Sequence, residues 1–155
     1  PSDARRRQSE SPKVILSGMS KRPTAFCDAQ GDYCAGKSTV LILNPRSGGV
    51  NTLRRLTQVL NSSTAALIYK ALYGGLALAG GYLRFGPPQL AAFPVPRQLA
   101  DQGHLSCASD ETVSDLYGID HARVRDAFSR TFGASEDIDQ NANGSDGDSQ
   151  LEEDS

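Results

Sequence analysis

The sequence predicts an α+β fold: a small mixed domain with short antiparallel strands, including a hairpin, followed by a helix pair and a C-terminal helix, with disordered ends. Three observations predict it. Apolar, β-branched runs at Val14-Ile15-Leu16 and across residues 39–43 are bounded by turn residues, as strands are. Leu53, Leu56, Val59 and Leu60 recur at three- and four-residue steps, which places them on one face of a helix. The two ends hold almost nothing apolar and so cannot bury enough surface to order themselves. A chain of 155 residues, 38% of them hydrophobic, suits one domain. Residues 1–12 are expected to be a flexible basic arm or cut linker and 13–98 the main body. Residues 99–133 should form a helical segment packed on that body, and 134–155 a disordered acidic tail.

The first strand begins at Lys13 and is bent by Ser17-Gly18. Residues 24–27 and 33–35 read as short strands joined by a turn at Asp28-Ala29-Gln30-Gly31-Asp32, where Gly and Asp supply the turn chemistry. The strand at 39–43 stops at Asn44-Pro45, because proline disfavours a continuing regular conformation in the residue before it. Asn51 or Thr52 can cap the first helix, and Asn61-Ser62-Ser63 ends it. Ser63 or Thr64 can cap a second helix with Ala65, Leu67, Ile68, Ala71 and Leu72 apolar, ended by Gly74-Gly75 at positive φ. Four glycines between 74 and 81 exclude a stable helix and suggest a crossing close to another backbone or surface. Tyr82-Leu83-Arg84-Phe85 alternates like a strand, with Leu83 and Phe85 on the core face and Tyr82 and Arg84 on the other. Gly86-Pro87-Pro88 is a stop followed by a helix start. Across 110–132 Asp110 can cap a helix whose stripe is Val113, Leu116 and Tyr117; Gly118 breaks it, and Val124 and Phe128 continue a second.

Net charge is only −2, but it is unevenly spread. Residues 1–100 hold 13 Lys/Arg against 4 Asp/Glu, and residues 101–155 hold 3 against 14. A body of net +9 favours a polyanion, since each phosphate neutralised releases condensed counterions. Cys27, Cys34 and Cys107 lack zinc-type spacing, so no metal site is expected and a reducing cytoplasm is the simpler setting. The most apolar window, 65–79, contains Lys70 and two glycines and is too short to cross a bilayer, so no membrane partner is expected.

Lys21, Arg22 and Lys37 sit at strand ends, where a basic side chain reaches phosphate without disturbing a sheet. Arg46 lies in the basic loop Arg46-Ser47-Gly48-Gly49, and Tyr82 and Arg84 pair a ring with a guanidinium. Residues 31–38, GDYCAGKS, satisfy the phosphate-loop pattern G-x-x-x-x-G-K-[ST]. That loop needs a helix after it, so that a helix N-terminus meets the phosphates. Thr39-Val40-Leu41-Ile42-Leu43 reads instead as a strand, which turns the motif into a hairpin turn before a basic strand start.

LTQVLNSSTAALIYK followed by GGYLRFGPPQLAAFPVP resembles the C-terminal target-recognition region of adenine-specific DNA methyltransferases with a TaqI-like specificity domain. That family includes fused restriction-modification enzymes and phage-exclusion methyltransferases. KVILSGMSKRPTAFCDAQGDYCAGKSTVLIL is similar to its strand hairpin, and DETVSDLYGID to its terminal helix. The resemblance covers residues 13–128, with a shortened connection around 97–109. It implies that 13–98 bind double-stranded DNA, and Lys21, Arg22, Lys37, Arg46, Tyr82 and Arg84 are the candidate contacts. It also implies S-adenosylmethionine in an associated catalytic domain, in cis or on a partner chain. This chain has no glycine-rich adenosylmethionine loop and no Asn/Asp-Pro-Pro-aromatic motif; Gly86-Pro87-Pro88-Gln89 lacks both the leading amide or acid and the ring. No catalytic residue is therefore assigned. Two alternatives stay open: a phosphohydrolase using Lys37 and Ser38, and an interaction fragment whose helix pair, residues 53–73, docks on a catalytic partner.

Overall fold

The computed structural model describes residues 3–43, 49–99 and 109–133. In chain order the elements are α1 (Asp3–Ser9), β1 (Lys13–Ser17), β2 (Met19–Ser20), β3 (Ala25–Asp28), β4 (Thr39–Leu43), α2 (Gly49–Asn61) and α3 (Ser63–Tyr73). Two single 3-10 turns follow, then β5 (Leu83–Arg84), α4 (Pro87–Ala91), a further 3-10 turn, α5 (Asp110–Leu116) and α6 (His121–Phe132). This is the small α+β architecture that the sequence predicts.

β1 is the central strand of a three-stranded antiparallel sheet in the order β3-β1-β4, with Val14 opposite Cys27 on one side and Ile42 on the other. Alternation sends Val14 and Leu16 to the inner face, where both are fully buried. Complete burial of one such side chain contributes roughly 1.5–3 kcal/mol. They meet Leu53 and Leu60 of α2, Ala65 and Tyr69 of α3, Leu83, Phe85 and Phe93 in one core. A second cluster of Val59, Leu99 and Val113 lies on the other side of α2, with Leu116 and Tyr117 packed on it. α2 thus has apolar contacts on two sides, one turned to the sheet and one to the C-terminal segment.

Gly18 joins the large sheet to a second, two-stranded one. Its N–H donates to the Ser38 carbonyl at 2.7 Å, and its carbonyl accepts from the Phe85 N–H at 2.9 Å. A Cβ here would lie 2.8 Å from the Ser38 oxygen, so the approach requires glycine. Immediately after it β2 pairs antiparallel with β5, Met19 opposite Arg84 and Ser20 opposite Leu83.

The helix corner is held by different atoms from those expected. The cap of α3 is Ser62, whose Oγ accepts from the Ala65 N–H at 3.0 Å. Asn61 reaches sideways and exchanges two hydrogen bonds with the backbone of Ala25 at 2.8 and 2.9 Å, tying the corner to β3. Ser109, not Asp110, caps α5, while the Asp110 carboxylate accepts from the Ser63 N–H at 2.9 Å. α2 starts at Gly49, ahead of the expected caps Asn51 and Thr52. These substitutions of role share a cause: a side chain near a helix end can satisfy any orphan N–H that tertiary packing brings to it.

Three expectations are corrected. Within residues 1–12, Asp3–Ser9 form a helix instead of a flexible arm, because Lys13 Nζ donates to the carbonyls of Ser9 and Ser11 at 2.6 and 3.3 Å. Residues 33–35 are not a strand: the Asp28 carboxylate accepts from the backbone N–H groups of Gly31, Asp32 and Tyr33 and curls the chain away from the ladder. Gly74 has φ −60°, so α3 runs on into a 3-10 turn; positive φ appears at Gly80 and Gly81, where the arm folds back and the Leu78 N–H meets the Tyr82 carbonyl at 2.8 Å. Among the described residues, no backbone from elsewhere in the chain would meet a Cβ added at these glycines, and the arm uses Gly80 and Gly81 for its turn. The tail at 134–155, Asn44-Pro45 and Arg46 lie outside the described residues.

Candidate nucleic-acid interface

The two-stranded sheet gathers three of the proposed contacts. Residues directly opposite in an antiparallel pair share a face, so Met19 and Arg84 point one way while Ser20 and Leu83 point the other. Alternation then brings Lys21 and Tyr82 onto the face of Met19 and Arg84. The Lys21 ammonium stands 6.0 Å from the Tyr82 ring centre, at the limit of a cation–π contact. All four side chains are exposed. The opposite face is buried, with Leu83 and Phe85 each 1% exposed. Two cations, one ring and one thioether therefore stand on a ribbon whose underside is locked into the core.

The locking comes chiefly from Tyr69. Its ring packs on Phe85 with centres 4.4 Å apart and on Tyr73 at 4.7 Å, and its hydroxyl donates to the Arg84 carbonyl at 2.6 Å. Burial, with Tyr73 adding to it, pushes the Tyr69 phenol up to about 12, so it remains a donor at any physiological pH. The backbone carrying Arg84 is thus fixed from α3.

The other candidates lie around this patch. Lys37 is exposed on the turn before β4, where Thr39 donates through both its N–H and its hydroxyl to the Gly36 carbonyl. Ser38, its neighbour, is the residue bonded to Gly18, which places Lys37 at the edge of the ribbon. Arg22 is turned elsewhere: it is half-buried, and its guanidinium lies 5.6 Å from the Phe128 ring centre on α6. It bridges the ribbon to the C-terminal segment. Among the described residues, Lys21, Lys37 and Arg84 make no ion pair with a carboxylate.

Met19 was not picked out by sequence reasoning. The signal lay in the register, because only pairing of β2 with β5 puts it opposite Arg84. Nor did the sequence give Lys13 its role. Lys13 is fully buried, ion-paired with Asp28, and unavailable to any ligand.

The phosphate-loop pattern ends directly in a strand. β4 begins at Thr39, directly after Ser38, so the segment that follows residues 31–38 is a strand and supplies no helix N-terminus to them. Among the described residues no three His, Cys, Asp or Glu converge to hold a metal ion, and no helix is long and apolar enough to cross a membrane. The chain matches no protein-family model and no curated protein.

Proposed function

We propose that this chain is a duplex-DNA-binding target-recognition module that positions DNA for adenine methylation by an S-adenosylmethionine-dependent catalytic domain elsewhere. One observation carries the reading: the ribbon presents Lys21, Arg84 and Tyr82 together on one exposed face, its two cations in no ion pair among the described residues, while its other face is fixed in the core. A two-stranded ribbon is narrow enough to enter a major groove, and Arg is the side chain best shaped to take a guanine edge bidentately. Lys37 at the rim would meet phosphate, which sets register without reading sequence. The methyltransferase part rests on the resemblance over residues 13–128. In such an enzyme a recognition module grips flanking duplex while another domain receives the flipped adenine.

Duplex binding measured by fluorescence anisotropy tests the reading. It should weaken about a thousandfold or more between roughly 50 and 200 mM salt if six or more phosphates are engaged. Salt-insensitive binding would sink it. The phosphohydrolase alternative is disfavoured by β4 following Lys37-Ser38, and the docking alternative by the helix pair spending Leu53, Leu60, Ala65 and Tyr69 on this chain's own core.

A further inference from the structure

We infer that the outer edge of β4 is a docking site for an extended segment of a partner polypeptide, a strand with alternate aliphatic residues flanked by Asp or Glu. This goes beyond the DNA reading and does not rest on it. β4 is an edge strand of the three-stranded sheet, and the register fixes which of its backbone groups are available. The Gly18 N–H donates to the Ser38 carbonyl, so Leu16–Val40 and Val14–Ile42 are the hydrogen-bonded pairs between β1 and β4. Leu41 and Leu43 therefore turn their N–H and C=O groups away from β1, and among the described residues nothing bonds to them. The opposite edge of the sheet is closed. There Ala25 faces outward, and the Asn61 side chain takes both its N–H and its carbonyl. An edge left unpaired in this way is a template for another strand.

Beside β4 lies an apolar groove of about 440 Å³, walled by Leu56 and Leu60 of α2, Leu90 of α4 and Phe93, with Val40 and Ile42 lining it from the sheet. Four of the five residues of β4 are aliphatic, yet none is buried. Residues directly opposite on paired strands share a face, so the two residues of an added strand opposite Val40 and Ile42 point into the groove. Main-chain bonds then supply affinity and those two side chains selectivity, as in strand addition generally. Charge sets the flanks. Every residue lining the groove falls within a run, Tyr33 through Leu99, that has no Asp or Glu. Lys37, two residues before β4, and Arg97, two residues after Val95, are exposed and in no ion pair among the described residues. Acids at the ends of a partner strand complement them. A second copy fits worse: residues 1–100 carry 13 Lys/Arg against 4 Asp/Glu, so self-pairing joins two positive bodies.

The test titrates the full chain with a synthetic peptide of alternating valine and threonine that carries glutamates at both ends. Hydrogen exchange at the Leu41 and Leu43 N–H groups should slow as the peptide binds. With valines in the groove, the threonine amides face β4 and the valine amides face away. Methylating the threonine amides should therefore lower affinity about tenfold, and methylating the valine amides should not. Leu41→Pro removes an outward N–H that the ladder with β1 does not use, a position where an edge strand accepts proline. It should weaken peptide binding about tenfold and leave duplex affinity unchanged. The methylation contrast uses only the natural chain, so it decides even where the proline variant does not fold. No binding up to about 1 mM, equal affinity for the two methylated peptides, or protection away from β4 overturns the inference. So does a concentration-dependent doubling of mass that Leu41→Pro abolishes without any peptide binding, which assigns the edge to a second copy. Peptide binding in a chain that binds no duplex leaves the β4 site standing and removes the DNA reading of the ribbon instead.

Discussion

Lys13 and Lys21 flank one short stretch of chain and have opposite fates. Lys13 is fully buried, bonded to the Asp28 carboxylate and to two backbone carbonyls. Lys21 is exposed, and its ammonium stands 6.0 Å from the centre of the Tyr82 ring. The difference teaches how to sort basic residues that composition cannot separate. A cation with its donors satisfied inside the protein contributes to folding, and removing its partner leaves a charge in a low dielectric. A cation over a ring and open to water keeps its field for a ligand. Asp28 makes the first region a hub: it also accepts from Gly31, Asp32 and Tyr33, and so joins α1, β1, β3 and the 28–33 turn.

The largest way to break the comparison is to remove that hub. Asp28→Ala should destabilise the protein by about 3–5 kcal/mol, since it strands the Lys13 ammonium and three backbone donors. Urea denaturation near neutral pH measures it, and a loss under about 1 kcal/mol would deny Lys13–Asp28 its structural role. Burial alone would raise the Asp28 pKa; the Lys13 ammonium and the three N–H groups outweigh it and hold the carboxyl at about 2, below the usual 3.8. A depressed folded-state pKa contributes stability that is complete above pH 4 and drains away as pH falls toward 2. Asp28→Asn should remove that acid-side slope along with part of the stability.

On the ribbon the pattern should invert. Arg84→Ala should cost about 1–3 kcal/mol of duplex binding if the guanidinium reads a base edge, with relaxed sequence preference. Its effect on folding should stay within about 0.5 kcal/mol, as for surface substitutions generally. A melting temperature that drops with affinity would show that Arg84 acts through folding, and the contrast with Lys13 would fail. Tyr69→Phe tests the connection between the regions. It deletes the hydroxyl that donates to the Arg84 carbonyl while keeping the ring stack on Phe85. About 1 kcal/mol of stability should go with the hydrogen bond. Affinity should fall several-fold although no charge has changed; an unchanged affinity would mean the ribbon holds its shape without that hydroxyl, by the ring packing alone.

Local rules made much of this legible in advance. Alternation at Tyr82-Leu83-Arg84-Phe85 sorted the two faces of β5, and helical spacing at Leu53, Leu56, Val59 and Leu60 found α2. What escaped was set by long-range partners. Asp28 looked like turn chemistry; that it would pull residues 33–35 out of a strand depends on Lys13 arriving from β1. Asp3–Ser9 looked too polar to fold, and it is Lys13 again, donating to the Ser9 carbonyl, that closes its end. Met19 could not be assigned to the site because Gly18 breaks the alternation before it, and only pairing with β5 restores the face.

Arg22 lies between the two regions and sharpens their boundary by the smallest effect. The strand-end argument puts it on phosphate; the geometry puts it on Phe128 at 5.6 Å, half out of water. These roles give different salt responses. A phosphate contact removed by Arg22→Ala should lower the slope of log affinity against log salt by about 1, with little change in stability. A guanidinium engaged on the ring should leave the slope where it was and cost about 0.5–1 kcal/mol of folding free energy instead. We expect the second result. Arg22→Met separates charge from bulk, because a thioether also packs favourably against an aromatic ring. It should recover most of the lost stability with the slope still unchanged. If the slope drops equally in both variants, Arg22 belongs with Lys21 and Arg84 as a ligand-facing cation, and the packing on Phe128 is only where it rests when no DNA is bound.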